Sequence, residues 1–194
     1  MRVVAGELRS RRLHTAEGRE TRPTSDRARA GLFDWLGPTV VGARVLDLFA
    51  GTGALGIEAL SRGASEAGFV ERARGALRVL GRNLDELGLT GRARVVEADL
   101  SRGLRGLAAK LGRFDLVLAD PPWDTGAAEQ LIRDEALAAL LAAEAIVVIE
   151  RSARSEAESE RPGLSRRGTK RYGETAFDWW EFAAEPAAGS EALA

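Results

Sequence analysis

From residue 44 to residue 150 the chain switches regularly between short, almost continuously apolar runs and longer amphipathic stretches, and this alternation restricts its fold more than any other feature. VLDLF (45–49), GFVE (68–71), ARVVEA (93–98), FDLVLAD (114–120) and AIVVIE (145–150) read as strands. Between them, GALGIEALSRG ending at Gly63, residues 74–87 stopped at Gly88, a segment around 104–111, and residues 127–142 read as helices. Strands without polar alternation need cover on both faces, and strands joined through helices run parallel. The expected fold is α/β, a single doubly wound, Rossmann-like sheet.

The flanks add to this unit. RPTSDRARAGLFDWLG (22–37) reads as a helix whose first turn is set by Pro23 and Thr24, with Ala28, Leu32, Trp35 and Leu36 on its apolar face. RSARSEAESERPG (151–163) is a polar linker, and GTKRYGETAFDWWEF (168–182) a closing antiparallel strand pair turning near Gly173. Trp179 and Trp180 are adjacent on that strand and point to opposite faces, so at least one belongs to the core. The final AAEPAAGSEALA has nothing to bury and reads as a frayed tail.

A length of 194 residues suits one domain with a small appendage. The absence of cysteine excludes disulfides, thiolate metal sites and cysteine nucleophiles. No apolar run reaches the ~18 residues of a membrane span, and MRVVAGELRSRR lacks a signal peptide's apolar stretch, so a cytoplasmic protein is expected. The net charge of −1 conceals an asymmetry: residues 1–30 hold eight arginines against four acids. Arg166, Arg167, Lys170 and Arg171 form a second basic cluster. Basic flanks around a mildly acidic middle fit an anionic partner, and a solvated charged surface accounts for them as well. The single histidine, His14, reads as a surface residue, and no metal site is expected.

Gly51-Thr52-Gly53-Ala54-Leu55-Gly56 satisfies G-x-G-x-x-G between a strand and a helix, where glycines permit a tight turn and close approach of a ligand. Glu71 ends the second strand, where its carboxylate can accept bonds from ribose hydroxyls. To this point NAD and S-adenosylmethionine fit equally. Asp47, four residues before Gly51, would repel a pyrophosphate but suits the ammonium and sulfonium of S-adenosylmethionine. Asp99 can accept from an adenine amino group. The alternative for both acids is capping, Asp47 of a loop and Asp99 of the helix that follows it.

Asp120-Pro121-Pro122-Trp123 follows the fourth strand, in the crevice where doubly wound folds bind ligands. Two prolines stiffen the loop and leave preceding carbonyls outside any helix. An exocyclic amino group of a base can donate to the Asp120 carboxylate and the Pro121 carbonyl, which aims the nitrogen lone pair at a methyl donor. Trp123 can stack on the base, a contact typically worth ~1–3 kcal/mol.

DLFAGTGALG together with DPPW resembles the amino methyltransferases that use S-adenosylmethionine on nucleobases. RVVAGELRSRRL, RPTSDRARAGLFDWL and KRYGETAFDWWEF narrow the resemblance to the RsmD family, 16S rRNA guanine-N2 methyltransferases, over nearly the whole chain. The resemblance implies methylation of guanine 966 on the small ribosomal subunit or an assembly intermediate, and a monomer is expected. It implies that Asp47, Phe49, Gly51, Gly53, Glu71 and Asp99 hold the cofactor, and that Asp120, Pro121, Pro122 and Trp123 hold the target base. Arg22, Pro23 and Thr24 match an early family motif near the active-site mouth. Arg9, Arg11, Arg12, Arg27 and Arg29, with Arg166, Arg167, Lys170 and Arg171, become candidates for the RNA backbone. The implied division is a basic extension (1–40, a strand pair plus helix on the RNA side), a methyltransferase domain (41–183) and a flexible tail (184–194). Three other readings stay open: a NAD-dependent oxidoreductase, an adenine-N6 methyltransferase of DNA or another RNA, and a non-catalytic RNA-binding assembly factor.

Overall fold

The computed structural model describes residues 1–15, 25–123, 125–155 and 161–183. Its twelve principal elements are α1 (Asp26–Leu36), β1 (Arg44–Leu48), α2 (Ala54–Ser61), β2 (Glu66–Glu71), α3 (Arg74–Glu86), β3 (Ala93–Glu97), α4 (Leu107–Leu111), β4 (Phe114–Ala119), α5 (Ala127–Arg133), β5 (Leu141–Ser152), β6 (Leu164–Tyr172) and β7 (Thr175–Phe182). The strands form one seven-stranded sheet in the order β3-β2-β1-β4-β5-β7-β6. β1 to β5 are parallel, and β7 and β6 close the sheet antiparallel. The doubly wound expectation holds, with the chain reversing direction across the sheet between β1 and β4.

Alternation along the central strands divides the core in two. Val45, Phe69, Leu116 and Val148 face α1, α2 and α3, where they meet Leu32, Phe33, Ile57, Leu60 and Leu80. Leu46, Leu48, Val117 and Val147 face the opposite side with Leu107, Leu111, Leu131 and Leu137. Both faces are covered, which is why these strands carry no polar alternation. Trp180 is fully buried in the second cluster, and Trp179 packs beside Trp35 with ring centroids 4.9 Å apart.

Four local expectations change. α1 starts at Asp26, capped by the Ser25 side chain accepting from the Ala28 N–H at 3.1 Å. Pro23 and Thr24, expected to set that turn, lie outside the described residues, as does the tail 184–194. The helix expected over 127–142 ends at Arg133. Asp134 leaves helical geometry, and its carboxylate accepts from Ala136 N at 2.8 Å and Leu104 N at 2.7 Å, starting a short 3-10 turn. Apolar residues then enter β5 at Leu141, four positions before the expected start, with a register shift opposite Phe114 and Leu116. An Ala/Leu-rich run serves helix and strand equally, so a polar residue with tertiary partners decides the boundary. The expected N-terminal strand pair is smaller than foreseen: one antiparallel bridge joins Arg2 and Arg12.

The closing strands cover a buried ion cluster. Asp178, 1% exposed, accepts from Arg151 Nε at 2.6 Å, from Arg166 Nη2 at 3.0 Å and from Thr169 Oγ1 at 2.5 Å. Burial raises the pKa of this carboxyl, but the bonds from Arg151, Thr169 and Arg166 outweigh it and hold the group below its ordinary range. Asp178→Ala would leave Arg151 buried and unpaired. It is expected to cost about 3–5 kcal/mol of unfolding free energy, measured by urea denaturation, with Asp178→Asn costing less.

Candidate active site

Asp47 lies in β1, an inner strand between β2 and β4, and points to the α2 side. It is 1% exposed, and its carboxylate accepts from the Gly56 N–H at 2.9 Å, in the first turn of α2. The group therefore does cap, but it caps the first turn of α2, the helix directly after β1, and not the loop. Burial raises the Asp47 carboxyl to about 8, against the lowering effect of the Gly56 bond, and the charges of Asp120 and Glu71 push the same way as burial.

The chain then turns sharply. Phe49 is a non-glycine residue with φ 59°, and Gly51 and Gly53 follow with φ 56° and 86°. Positive φ is costly for residues with a Cβ, and such strain concentrates at functional loops. At Gly53 a Cβ would come within 2.4 Å of Leu80 Cδ1, so both conformation and space require glycine. Gly56 allows α2 to approach β2, where a Cβ would meet the Phe69 ring at 2.3 Å. These are the two jobs the glycine pattern suggested, a tight turn and close helix–strand packing.

Glu71, at the end of β2, does more than the sequence suggested. One carboxylate oxygen accepts from Gly51 N at 2.8 Å, and the other from Arg72 N at 2.9 Å and Ala73 N at 2.8 Å. It ties the glycine loop to the start of α3, and its remaining lone pairs are what could receive a ribose. Asp99 caps the turn after β3, accepting from Ser101 N at 3.1 Å and Ser101 Oγ at 2.8 Å, with Arg72 at 3.3 Å. Those Ser101 bonds, and then Arg72, lower its pKa.

These groups surround one cleft of about 840 Å³ along the carboxyl ends of β1, β2 and β4. Of the expected cofactor residues, Asp47, Phe49, Gly51, Glu71 and Asp99 line it, as do Asp120, Pro121, Pro122 and Trp123. Gly53 shapes the turn from behind and is not in the wall. Among the described lining residues, four acidic side chains accompany a single basic side chain, Arg72, which is paired with Asp99, and the chain's N-terminal residue Met1 also lines the cleft. Such a wall attracts a cation and repels a pyrophosphate. Asp120 is half-buried, its N–H reaching Leu48 O at 3.3 Å, and Pro122 O accepts from Thr125 Oγ1 at 2.7 Å.

The family described as Conserved hypothetical protein 95 matches residues 1–181. The ribosomal RNA small subunit methyltransferase D of Escherichia coli is 41% identical over 150 residues, 77% of this chain and 74% of the relative. This chain belongs to that family, the RsmD family. The solved structure of Escherichia coli yhhF superposes with a TM-score of 0.77 at 34% identity, covering 95% of this chain and 99% of that one. An RNA methyltransferase from Salinibacter ruber, solved with S-adenosyl-L-homocysteine, shares the fold at a TM-score of 0.64 and 15% identity, covering 87% of this chain and 98% of the other.

The basic residues separate. Arg29, a candidate RNA contact, is fully buried on α1, where it donates to Arg2 O and lies 3.5 Å from Glu58. Arg166 is turned inward to Asp178, and Arg167 pairs with Glu181 at 2.9 Å. Arg27 and Arg171 are exposed, and the Lys170 ammonium lies 5.8 Å from the Trp35 ring centre. Tyr172 is held inside the fold, its hydroxyl donating to Gly31 O at 2.8 Å. Arg22 lies outside the described residues. His14 is more engaged than a surface histidine: its backbone bonds to Asn83 and its ring to Glu86 at 2.8 Å.

Sequence reasoning missed Asn83, Glu58 and Thr15, which stand outside the motifs. The raised Asp47 pKa gives a clear expectation. In the ligand-free protein Asp47 holds its proton up to about pH 8, whereas the unfolded chain loses it near 3.8. Stability contributed by the protonated form is therefore complete below pH 3.8 and is lost as pH rises toward 8. Asp47→Asn keeps an acceptor for Gly56 and should become more stable than the parent protein over that range. The advantage should reach about a few kcal/mol above pH 8 and be small at pH 4, read from urea midpoints along a pH series.

Proposed function

We propose that this protein transfers a methyl group from S-adenosylmethionine to the exocyclic N2 of a guanine in 16S rRNA, guanine 966 by family resemblance. The observation that carries the reading is the placement of Asp120-Pro121-Pro122-Trp123 on the rim of an acid-walled cleft, beside the glycine loop. The four acids fit a cofactor whose ammonium and sulfonium are cationic, and they disfavour a dinucleotide. That disposes of the oxidoreductase reading. When bound, S-adenosylmethionine supplies an electrophilic methyl group with its own leaving group.

The rest falls to the chain's residues. Asp47 faces the positive end of the cofactor, Glu71 the ribose, and the loop at Phe49 and Gly51 closes on its backbone side. The Asp120 carboxylate and the Pro121 carbonyl receive the amino hydrogens of the target base, and Trp123 stacks on its face. With the amino group fixed, its lone pair is aligned with the methyl carbon, and alignment is the main catalytic contribution available in such a site. As the new bond forms, the nitrogen gains positive charge, which Asp120 stabilises before taking up the released proton directly or through water. A base must leave its stack to enter, at ~a few kcal/mol unless it already lies in a loop.

The topology supports a path for the RNA. β5 runs parallel to β4, and Ser152 at its end pairs with Thr175, which in turn pairs with Tyr172. The turn between β6 and β7 thus shares the sheet edge that carries the cleft. Lys170 and Arg171 sit beside that turn, while Arg166 lies about 20 Å of strand away. Arg27, Lys170 and Arg171, with Arg22, Pro23 and Thr24 by resemblance, form the proposed RNA-facing group, with Arg167 at its margin. An rRNA substrate places the enzyme in the cytoplasm, and no helix among the described residues is long and apolar enough to cross a membrane. Adenine-N6 methylation uses the same catalytic parts and is the alternative.

Labelled-methyl transfer to unmodified 16S rRNA, naked and assembled with small-subunit proteins, should yield N2-methylguanosine by mass spectrometry. Asp120→Ala should lower turnover by about a hundredfold or more, since it removes both a hydrogen-bond acceptor and a proton acceptor. N6-methyladenosine as the product would overturn the guanine assignment and keep the mechanism. Replacing both Lys170 and Arg171 by Ala should weaken RNA binding and reduce the salt dependence by about 1.4 log units per log salt if both engage single-stranded phosphates. An unchanged slope would return both residues to the solvated surface.

A further inference from the structure

Residues 1–15 lie across α2 and α3; besides the bonds of Arg11 and His14 to Glu86, of Arg29 to Arg2 O and of Arg92 to Glu7, three buried side chains that no motif includes fasten them. Glu58, fully buried in α2, accepts from Val4 N at 2.8 Å and Ala5 N at 3.0 Å. Ser61 accepts from Leu8 N at 3.0 Å and donates to Ala5 O at 2.6 Å. The third fastener differs in what it reaches. Asn83 in α3 is 1% exposed, and its Oδ1 accepts from His14 N at 2.8 Å. Its Nδ2 donates to His14 O at 3.1 Å and to Thr52 O at 3.0 Å. Thr52 lies between the two glycines of the loop, and Thr15, the neighbour of His14, lines the cleft.

One amide thus joins the backbone of the glycine loop to the backbone of the N-terminal segment. An amide has two donor hydrogens and acceptor lone pairs in a fixed plane, so rotating or displacing one partner moves the geometry of the others. Buried bonds of this kind are costly to leave unmade. The two other fasteners hold the first half of the segment and touch no part of the loop, so Asn83 is the link among these three through which the loop and the cleft-lining end of the segment meet.

We propose that Asn83 is a positioning residue that couples occupancy of the cofactor cleft to the seating of the N-terminal segment. Cofactor bound on the glycine loop fixes the Thr52 carbonyl, Asn83 transmits that order to the peptide of His14, and Thr15 is held as part of the wall. Linkage makes the effect reciprocal: a segment that seats well strengthens cofactor binding by the same factor. The inference rests on the reading of the cleft as an S-adenosylmethionine site.

The test is amide hydrogen exchange with and without saturating S-adenosyl-L-homocysteine, together with its affinity by calorimetry, in the parent protein, Asn83→Ala and Asn83→Asp. Asn83→Asp keeps the size and the acceptor for His14 but lacks both donors. In the parent protein the ligand should slow exchange in the glycine loop and in residues 10–14. In both variants affinity should fall about five- to twentyfold, the scale of one or two lost hydrogen bonds. Protection of the loop should persist at saturation while protection of residues 10–14 disappears. A purely structural role would lower the melting temperature yet leave both affinity and segment protection intact in the folded variants, and that result would overturn the coupling. Protection of the segment surviving in saturated Asn83→Asp would overturn it as well. No binding to the parent protein would overturn the cofactor reading itself, a failure distinct from the other two.

Discussion

A carboxyl group in the middle of a parallel sheet is a costly thing to bury, and the arrangement around Asp47 shows what makes it tolerable. Its one backbone partner, the Gly56 N–H, is among the unsatisfied donors of a helix N-terminus, so the bond meets two needs together. It also fixes where α2 begins relative to β1. The loop between them then has little freedom, which explains the left-handed Phe49 and the glycines beside it. Glu71 repeats the solution from the next strand, satisfying Gly51 and the first N–H groups around α3. Two acids near strand ends thus fix two helix starts at the carboxyl edge of the sheet, where the cleft lies.

Elsewhere the fold buries charge with its counterpart. Glu58 has two backbone donors, Arg62 and the nearby Arg29, and Asp178 has Arg151, Arg166 and Thr169. Both clusters tie peripheral chain to the central sheet: the first holds the N-terminal segment and α1, the second the closing hairpin. Buried ion pairs contribute modestly when complete and become expensive when broken, so their effect is to specify how the parts are seated.

The central fold and the cleft were readable because each depends on neighbours in sequence. A strand buried on both faces must be apolar throughout, and a glycine turn, a strand-end acid and a proline-stiffened loop are written within a dozen residues. The basic residues were misjudged for the opposite reason. Arg29 and Arg166 look like their exposed neighbours Arg27 and Arg167, and only partners across the fold, Glu58 and Asp178, distinguish them. Asn83 bonds to residues 69 and 31 positions away, so no local pattern marks it. The end of α5 was hidden similarly, since Asp134 breaks the helix by capping Leu104 from another segment.

The contrast between these charged groups separates scaffold from site. Around Glu58 and Asp178 the protein supplies the opposite charge itself, and nothing remains to be bound. In the cleft, the charges of Asp120 and Glu71 act on Asp47, and Arg72 is engaged with Asp99. Burial first, and then the charges of Asp120 and Glu71, raise Asp47 in the free protein, and an arriving cation would relieve the repulsive part. In the proposed reading, a cationic cofactor would therefore bind partly by removing a destabilisation already present in the fold. The same excess of negative charge, extending to Asp120 at the mouth, favours positive charge developing on a base nitrogen. In the proposed reading, one electrostatic imbalance would serve both affinity for the methyl donor and stabilisation of the transfer, whereas Glu58 and Asp178 are matched by arginines within the fold.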